Sequence, residues 1–328
     1  MTQATPHKRA VILLNMGGPT SIAGVESFLQ NIFSDPLILR IKNRFIRKMV
    51  GSLIINKRLE SVKQNYQKIG GCSPLPAYTF ALCKQLEGLD SSLAATYVMR
   101  YTPPLALDVL RSLRDSGVDD IVLFSMYPQF STTTTKSSLL DIHTHLQTLS
   151  YKPRISVIED FHDYVPFYEL IADTITTTLG ARKAQDFTLI LSAHSLPQKI
   201  VDEGDPYPKQ CQKGVEILRE IFAQRGVEFA NITLAYQSKV GPMRWLEPFT
   251  SDIIANASGQ SLIIYPLAFT IDNAETIYEL GIEYKELAEQ SGVKEYLLCP
   301  CMNDSLPFAK MIHTLLQEKA LDSSSTPS

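Results

Sequence analysis

Short apolar runs bounded by turn residues alternate along this chain with longer stretches of helical periodicity, and this alternation constrains the fold more than any other feature. The runs with the length and composition of strands are 9–15, 95–101, 121–126, 154–159, 188–193, 232–237, 261–267 and 296–299. They are apolar almost throughout rather than at every second residue, so both faces of each strand should be buried. The pattern predicts an α/β protein with parallel sheets covered by helices.

Four of the predicted strands lie in each half of the chain. This division favours two similarly built domains, each with a four-stranded parallel sheet flanked by helices. No repeat is visible at the level of residues. A chain of 328 residues is long enough for two cores. We place the domains at residues 1–159 and 160–321, with helices at 164–179 and 307–319 in the second. Residues 322–328 are small and polar, and we expect them to form a disordered tail.

Composition and charge exclude several classes of protein. The formal net charge of −3 gives no global reason to expect a nucleic-acid partner. No secretory signal pattern and no apolar stretch of the roughly 20 residues that a membrane-spanning helix needs are visible, which predicts a cytoplasmic protein. The cysteines are odd in number and scattered, which favours reduced thiols. Cys299 and Cys301 are close, but a tetrahedral metal site needs four ligands, so ordinary strand-end residues are the preferred interpretation.

Residues 35–58 differ from the rest of the chain. Apolar residues alternate there with arginines and lysines, and no acidic residue occurs between Pro36 and Leu59. The segment is either a core helix whose solvated face is basic, or an amphipathic surface that contacts anionic lipid or admits an apolar anionic ligand. The residues alone leave both interpretations open.

Polar residues follow several of the predicted strands, where ligands collect in doubly wound folds. Residues 15–18 (NMGG) form either a simple tight turn or a close backbone approach to a ligand, and they match neither nucleotide-binding glycine pattern. Tyr127 and the hydroxyl-rich run 131–138 follow the third strand, with more hydroxyls than a helix cap needs. His194 follows the fifth strand as either a structural histidine or a functional one.

Three glutamates follow the seventh strand. Glu275, Glu279 and Glu283 are spaced i, i+4 and i+8, which places them in one row on a helix. In the simpler interpretation Asp272 caps the helix, Glu275 completes a capping box and the row is solvated. If the row faces a cleft, it supplies oxygen ligands and proton carriers for a divalent cation.

Motifs along most of the chain resemble the ferrochelatase family. They are 14–19 (LNMGGP), 69–74 (IGGCSP), 99–101 (MRY), 127–129 (YPQ), 191–197 (LSAHSLP), 204–208 (GDPYP), 237–245 (QSKVGPMRW), 266–270 (PLAFT) and 275–284 (ETIYELGIEY). The resemblance implies two Rossmann-like domains with a porphyrin cleft between them, in which Fe²⁺ is inserted into protoporphyrin IX and two protons are released. Residues 35–58 would line the mouth of this cleft, and we call them the lip segment.

The resemblance also implies roles for individual residues. His194 would remove the pyrrole protons, since an imidazole with a pKa near 6.5 can accept them at neutral pH. Glu275 would face it across the macrocycle, and Glu279 and Glu283 would continue a path for metal or protons; these four side chains are the expected metal ligands. The residues expected around the porphyrin are Met16, Lys68, Ser73, Tyr127, Ser238, Lys239, Trp245 and Tyr278.

The chain departs from the family at some positions. Asn273 stands where many relatives have a histidine, and Phe130 replaces the usual tyrosine of its motif. Met16 stands where some coproporphyrin-specific relatives carry a tyrosine, which favours protoporphyrin IX. A coproporphyrin III ferrochelatase, a cobalt chelatase and a non-catalytic haem or metal carrier remain the alternatives.

The resemblance extends to cofactors and partners. The cysteine-rich extension that holds a 2Fe–2S cluster in animal relatives has no counterpart in this sequence, so we expect no cluster and no permanently bound cofactor, with iron as a substrate. We expect a monomer that binds porphyrin and Fe²⁺ but no nucleic acid. The lip segment would allow peripheral contact with the inner face of the cytoplasmic membrane.

Overall fold

The fold consists of two parallel sheets of four strands, seen in a computed structural model that describes residues 9–241 and 243–324. The first sheet has the order β2-β1-β3-β4, with β1 (Arg9–Asn15), β2 (Leu93–Met99), β3 (Asp120–Ser125) and β4 (Arg154–Ile158). The second has the order β6-β5-β7-β8, with β5 (Phe187–His194), β6 (Asn231–Gln237), β7 (Ser261–Pro266) and β8 (Glu295–Leu298). The predicted α/β class is confirmed, and each predicted strand is present with bounds shifted by at most two residues.

Helices connect the strands. The first half contains α1 (Val25–Ser34), α2 (Arg44–Lys68), α3 (Leu75–Leu89), α4 (Ala106–Asp115) and α5 (Thr135–Thr148). The second half contains α6 (Val165–Leu179), α7 (Gln198–Asp202), α8 (Tyr207–Gln224), α9 (Thr250–Ala255), a π-helix (Glu275–Glu283), α10 (Tyr284–Gln290) and α11 (Leu306–Ser324). Helix α11 therefore extends beyond the predicted 307–319 and includes the first three residues of the predicted tail, while 325–328 lie outside the described residues.

The two sheets share one hydrophobic core. Leu13 of β1 and Leu191 of β5, both with 0% exposure, belong to the same buried cluster, which also includes residues of α6 and α11. Central strands of parallel sheets are covered on both faces, which explains their continuous hydrophobicity. Helix α6 packs on α8 and β7, whereas α11 packs on α3 as well as on α6. The domain boundary between residues 159 and 160 stays a prediction.

The lip segment forms the start of α2 and the loop before it. The Asn43 carboxamide caps the helix by accepting hydrogen bonds from the amides of Phe45 (2.9 Å) and Ile46 (3.2 Å). Phe45, Met49 and Leu53 form a row on α2 and are 79%, 52% and 65% exposed. The interpretation of this segment as a core helix is therefore wrong for this face. Within residues 9–241 and 243–324, no helix has the length and apolar character needed to span a bilayer.

Candidate active site

The carboxyl ends of the strands bring the two halves of the site together. Met16 follows β1, Tyr127 follows β3, and His194 is the last residue of β5. Met16 packs in one apolar cluster with Tyr66 of α2, and Ala274, just before the π-helix, packs against the same cluster. The end of the first sheet, α2 and the π-helix thus meet at one place.

His194 and Glu275 interact across this junction. His194 is half-buried, its carbonyl accepts a hydrogen bond from the Tyr207 hydroxyl (2.9 Å), and its ring meets Phe269 edge-on with centroids 6.3 Å apart. Burial raises the pKa of the Glu275 carboxyl, while the nearby His194 imidazole lowers it and the charge of Glu279 raises it further. An imidazole beside a carboxyl with a raised pKa can move protons near neutral pH.

Glu279 is fixed by several donors. Its Oε1 accepts hydrogen bonds from the Ser238 amide (2.8 Å) and the Tyr284 hydroxyl (2.9 Å). Its Oε2 accepts from Gln237 Nε2 (3.1 Å) and from the Ser238 hydroxyl. Ser238 has φ +69°, in the left-handed region that a non-glycine residue rarely adopts, and in this conformation its amide and hydroxyl both bind one carboxylate. Glu279 is therefore a positioned anion.

Gln237 connects Glu279 to β5, the strand that ends at His194. It lies at the end of β6, is 1% exposed, and pairs in register with His194 of β5. Its Oε1 accepts a hydrogen bond from the Ser192 hydroxyl (2.7 Å), and its Nε2 also lies 3.4 Å from the Glu275 carbonyl oxygen. One buried carboxamide thus links the end of the sheet to both Glu275 and Glu279.

Glu283 is the exposed end of the acidic row. Partial burial raises the pKa of its carboxyl, the charges of Glu279 and Glu286 raise it further, and Lys68 lowers it. The Lys68 ammonium lies 5.4 Å from the ring centroid of Tyr278. The row therefore leads from the half-buried Glu275 to solvent. In the described part of the chain, no three histidine, cysteine or acidic side chains are close enough to hold a metal ion together.

The row lies on a π-helix rather than on the expected α-helix. Residues Glu275–Glu283 form i→i+5 hydrogen bonds, a rare arrangement found mostly at functional sites. The Asn273 carboxamide oxygen accepts from the Glu275 amide (2.8 Å), whereas the Asp272 amide donates to the Asn303 side chain (2.8 Å). The capping-box interpretation of Asp272 and Glu275 is therefore wrong, and Asn273 supports the first turn instead.

The structure also describes three other residues that we expect to contact the porphyrin, namely Ser73, Lys239 and Trp245. Ser73 is 5% exposed, and its amide donates to the Pro19 carbonyl (2.8 Å). The Lys239 ammonium lies 4.0 Å from the ring centroid of Phe249. Trp245 is half-buried, and its indole N–H donates to the Val240 carbonyl (3.0 Å).

The hydroxyl-rich loop after β3 joins the two halves of the molecule. The hydroxyls of Ser131 (3.0 Å) and Thr132 (2.8 Å) and the Thr132 amide (2.7 Å) donate to one carboxylate oxygen of Asp205. The other oxygen of Asp205 accepts from the Tyr207 amide at the start of α8 (3.1 Å). These hydrogen bonds to Asp205 therefore account for part of the hydroxyl-rich run 131–138 without a bound ligand.

Two residues of the site were missed from the sequence, whereas Tyr284 was expected to flank the row and binds Glu279. Tyr66 interacts with Glu275, and Gln237 donates a hydrogen bond to Glu279. Gln237 ends a predicted strand, so its position could have drawn attention to it. Tyr66 lies inside a long helix, and burial followed by the charge of Glu275 raises its pKa; nothing in the local sequence indicates this contact.

The two four-stranded parallel sheets place this chain in the fold class of the two-domain chelatases. Solved structures share this fold: SirB from Bacillus subtilis with Fe³⁺ has a TM-score of 0.57 at 11% identity, covering 97% of this chain and 98% of that one. CbiX, the terminal enzyme of sirohaem biosynthesis in denitrifying bacteria, has a TM-score of 0.52 at 14% identity, covering 94% and 99%. At these identities the likeness establishes the fold alone.

Sequence comparison gives the family. A family model described as ferrochelatase matches residues 8–320. A ferrochelatase of Helicobacter pylori (strain P12) is 53% identical over 310 residues, covering 94% of this chain and 93% of that protein. A ferrochelatase of Wolinella succinogenes is 46% identical over 311 residues, covering 95% and 98%. The chain belongs to the ferrochelatase family, whose members are enzymes of haem biosynthesis that insert iron into a porphyrin.

Proposed function

We propose that this ferrochelatase inserts Fe²⁺ into protoporphyrin IX, with His194 and Glu275 as its catalytic pair. The observation that carries the proposal is that Gln237, which pairs in register with His194, also reaches Glu275, whose carboxyl has a pKa raised by burial. Two pyrrole protons must leave as the dication enters, so the site needs groups that exchange protons near neutral pH. His194 accepts the pyrrole protons. Glu275, in its ionised form, then receives these protons from the His194 imidazole.

The acidic row provides a route between this pair and solvent. Glu279 is held by its donors from β6 and α10, and Glu283 is exposed. Carboxylates in a row let a dication or a proton move from one group to the next, whereas a closed cage of ligands would retain the metal. We assign His194, Glu275, Glu279 and Glu283 to this route.

The porphyrin contacts follow from the positions of the surrounding side chains. Met16, Tyr127 and Tyr278, with Trp245, offer apolar and aromatic contacts to the macrocycle. A methionine beside the apolar lip segment suits a porphyrin with two propionates better than one with four. The groups assigned to the propionates are Lys68, Ser73, Ser238 and Lys239. Binding at the macrocycle edges provides the free energy that bends the ring and exposes its nitrogens.

Anaerobic insertion of Fe²⁺ into protoporphyrin IX, followed by absorbance, tests this proposal. We expect His194→Ala and Glu275→Ala to abolish turnover while their circular dichroism spectra stay unchanged. The control variants are His143→Ala and Glu220→Ala, which change exposed residues of α5 and α8 and should keep full activity. Undiminished turnover in His194→Ala, or binding without turnover in the wild type, would refute the catalytic assignment. Faster turnover of coproporphyrin III, or of Co²⁺, would refute the assigned substrate.

We also propose that the lip segment makes peripheral contact with the cytoplasmic face of a membrane. The exposed row of Phe45, Met49 and Leu53 lies among basic residues, which suits insertion at the surface of anionic lipid. Phe45→Glu/Leu53→Glu should lose cosedimentation with phosphatidylglycerol vesicles, whereas Phe80→Glu, at an apolar residue that is 53% exposed elsewhere, should not. Equal binding by all variants would refute the proposal.

The enzyme is proposed to work as a monomer without a resident cofactor. Analytical ultracentrifugation should give a single species of 36.7 kDa, and metal analysis of the purified protein should give no stoichiometric cluster iron. A stable dimer or two cluster irons per chain would contradict this.

A further inference from the structure

The base of the lip segment is fixed to the first sheet. Asp35 is 3% exposed, and one of its carboxylate oxygens accepts hydrogen bonds from Arg100 (3.1 Å), the Tyr101 hydroxyl (3.0 Å) and the Ser137 hydroxyl. Its other oxygen accepts from the Leu37 amide (2.7 Å). A buried carboxylate with this many hydrogen-bond donors holds the base of the lip segment firmly in place.

The lip segment has a second attachment, which reaches the other half of the molecule. Arg40 forms an ion pair with Glu203, the residue after α7, and donates a hydrogen bond to the Thr132 hydroxyl (3.0 Å). Thr132 in turn donates to Asp205. The lip segment, the loop after β3 and the turn between α7 and α8 therefore meet at Arg40, which lies four residues before α2 begins.

The two attachments differ in their exposure to water. The Asp35 side chain is 2% exposed, whereas the side chains of Arg40 and Glu203 are 28% and 47% exposed. An ion pair in water is weak and is screened by salt. The attachment of the base of the lip segment through Asp35 is therefore the stronger one, and the contact at Arg40 is the weaker one.

We propose that Arg40 is a positioning residue that holds the lip segment against the second half of the molecule through its contact with Glu203. The proposal rests on the assignment of residues 35–58 as the lip of the porphyrin cleft. A lip segment held in its closed position needs less ordering when the porphyrin binds, so the contact favours binding. An exposed ion pair of ordinary strength corresponds to a two- to fivefold effect, about the size expected on KM.

Reversing the charges tests this proposal. Arg40→Glu and Glu203→Arg should each raise KM for protoporphyrin about two- to fivefold without lowering kcat, and the double variant Arg40→Glu/Glu203→Arg should restore KM. Unfolding midpoints should stay unchanged, because the pair is exposed. The control is Arg111→Glu, which disrupts the exposed Arg111–Asp108 pair of α4 (3.1 Å) and should leave KM unchanged.

The single variant at Glu203 separates this role from direct attraction of the propionates. If Arg40 acted only by attracting the anionic porphyrin, Glu203→Arg would add a positive charge and lower KM, which would overturn the proposal. Failure of the double variant to restore KM would overturn it as well. Lack of iron insertion by the wild type would instead refute the proposed function, so the two failures are distinguishable.

Discussion

Replacement of Glu279 by glutamine tests how the acidic row is built. The amide can keep its carbonyl oxygen toward the Ser238 amide and the Tyr284 hydroxyl, which now bind Oε1. Its NH₂ group then faces Gln237 Nε2, which donates to Oε2 in the wild type. Gln237 could turn over only if the Ser192 hydroxyl stopped donating to it and donated to Thr250 instead; otherwise two donors oppose each other at a buried position. The expected loss of stability is about 1–3 kcal/mol.

The same substitution should shift the titration of Glu275. The charge of Glu279 raises the pKa of Glu275, so its removal should lower that pKa. Because we assign Glu275 a role that requires the ionised form, the acidic limb of the kcat/KM profile should move to lower pH. The pKa of Glu275 is raised in the folded protein, so its contribution to stability is present below the unfolded pKa and is lost as pH rises through the folded value. This loss should be smaller in Glu279→Gln.

Urea unfolding and pH–rate profiles measure both effects. Unfolding followed by circular dichroism at several pH values gives the change in stability, and anaerobic iron insertion gives the position of the acidic limb. The matched control is Glu286→Gln on α10, an exposed glutamate whose charge raises the pKa of Glu283. It should leave the stability and the acidic limb unchanged. A variant of Glu279 as stable as the wild type, or an acidic limb that moves to higher pH, would refute the reasoning.

Two glycines lead to further predictions. A Cβ at Gly214 would lie 2.5 Å from the hydroxyl of the fully buried Tyr168, so Gly214→Ala should lower the unfolding free energy by about 1–3 kcal/mol in urea titrations. Gly88→Ala, also in a helix but in open space, should be neutral or stabilising, and equal effects would contradict the packing argument. A Cβ at Gly18 would lie 2.5 Å from the Ser73 side chain, so Gly18→Ala should displace it and raise KM for porphyrin, and an unchanged KM would argue against a role for Ser73.

Much of the fold could be predicted because strand burial leaves a direct signal in the sequence. The residues of β1 from Ala10 to Leu14 are at most 1% exposed, and an apolar run of this length is typical of a central parallel strand. The strand order carries no such signal, because pairing depends on contacts between distant segments. The same order in both sheets, with the first strand of each half between the second and third, was therefore not foreseen.

The assignment of the site stays a prediction. The end of a buried strand drew attention to His194 and the spacing drew attention to the glutamates, but a structural role stayed open for both until the resemblance to ferrochelatases was considered. That spacing does not distinguish an α-helix from a π-helix, since both bring residues four apart near one face. The exposure of Phe45 was also undecided, because an apolar residue in a basic helix has the same pattern whether it faces the core or solvent. These features depend on long-range packing, such as the contact of Asn273 with Glu275.

The shared core of the two sheets has a consequence for the shape of the substrate. Residues of β1, β5 and β7 belong to one densely packed interior, so moving the two sheets apart would break many buried contacts. A rigidly packed protein changes shape little when a flexible macrocycle binds to it. If porphyrin binds in the cleft that we propose, the strain of binding falls on the macrocycle rather than on the two sheets.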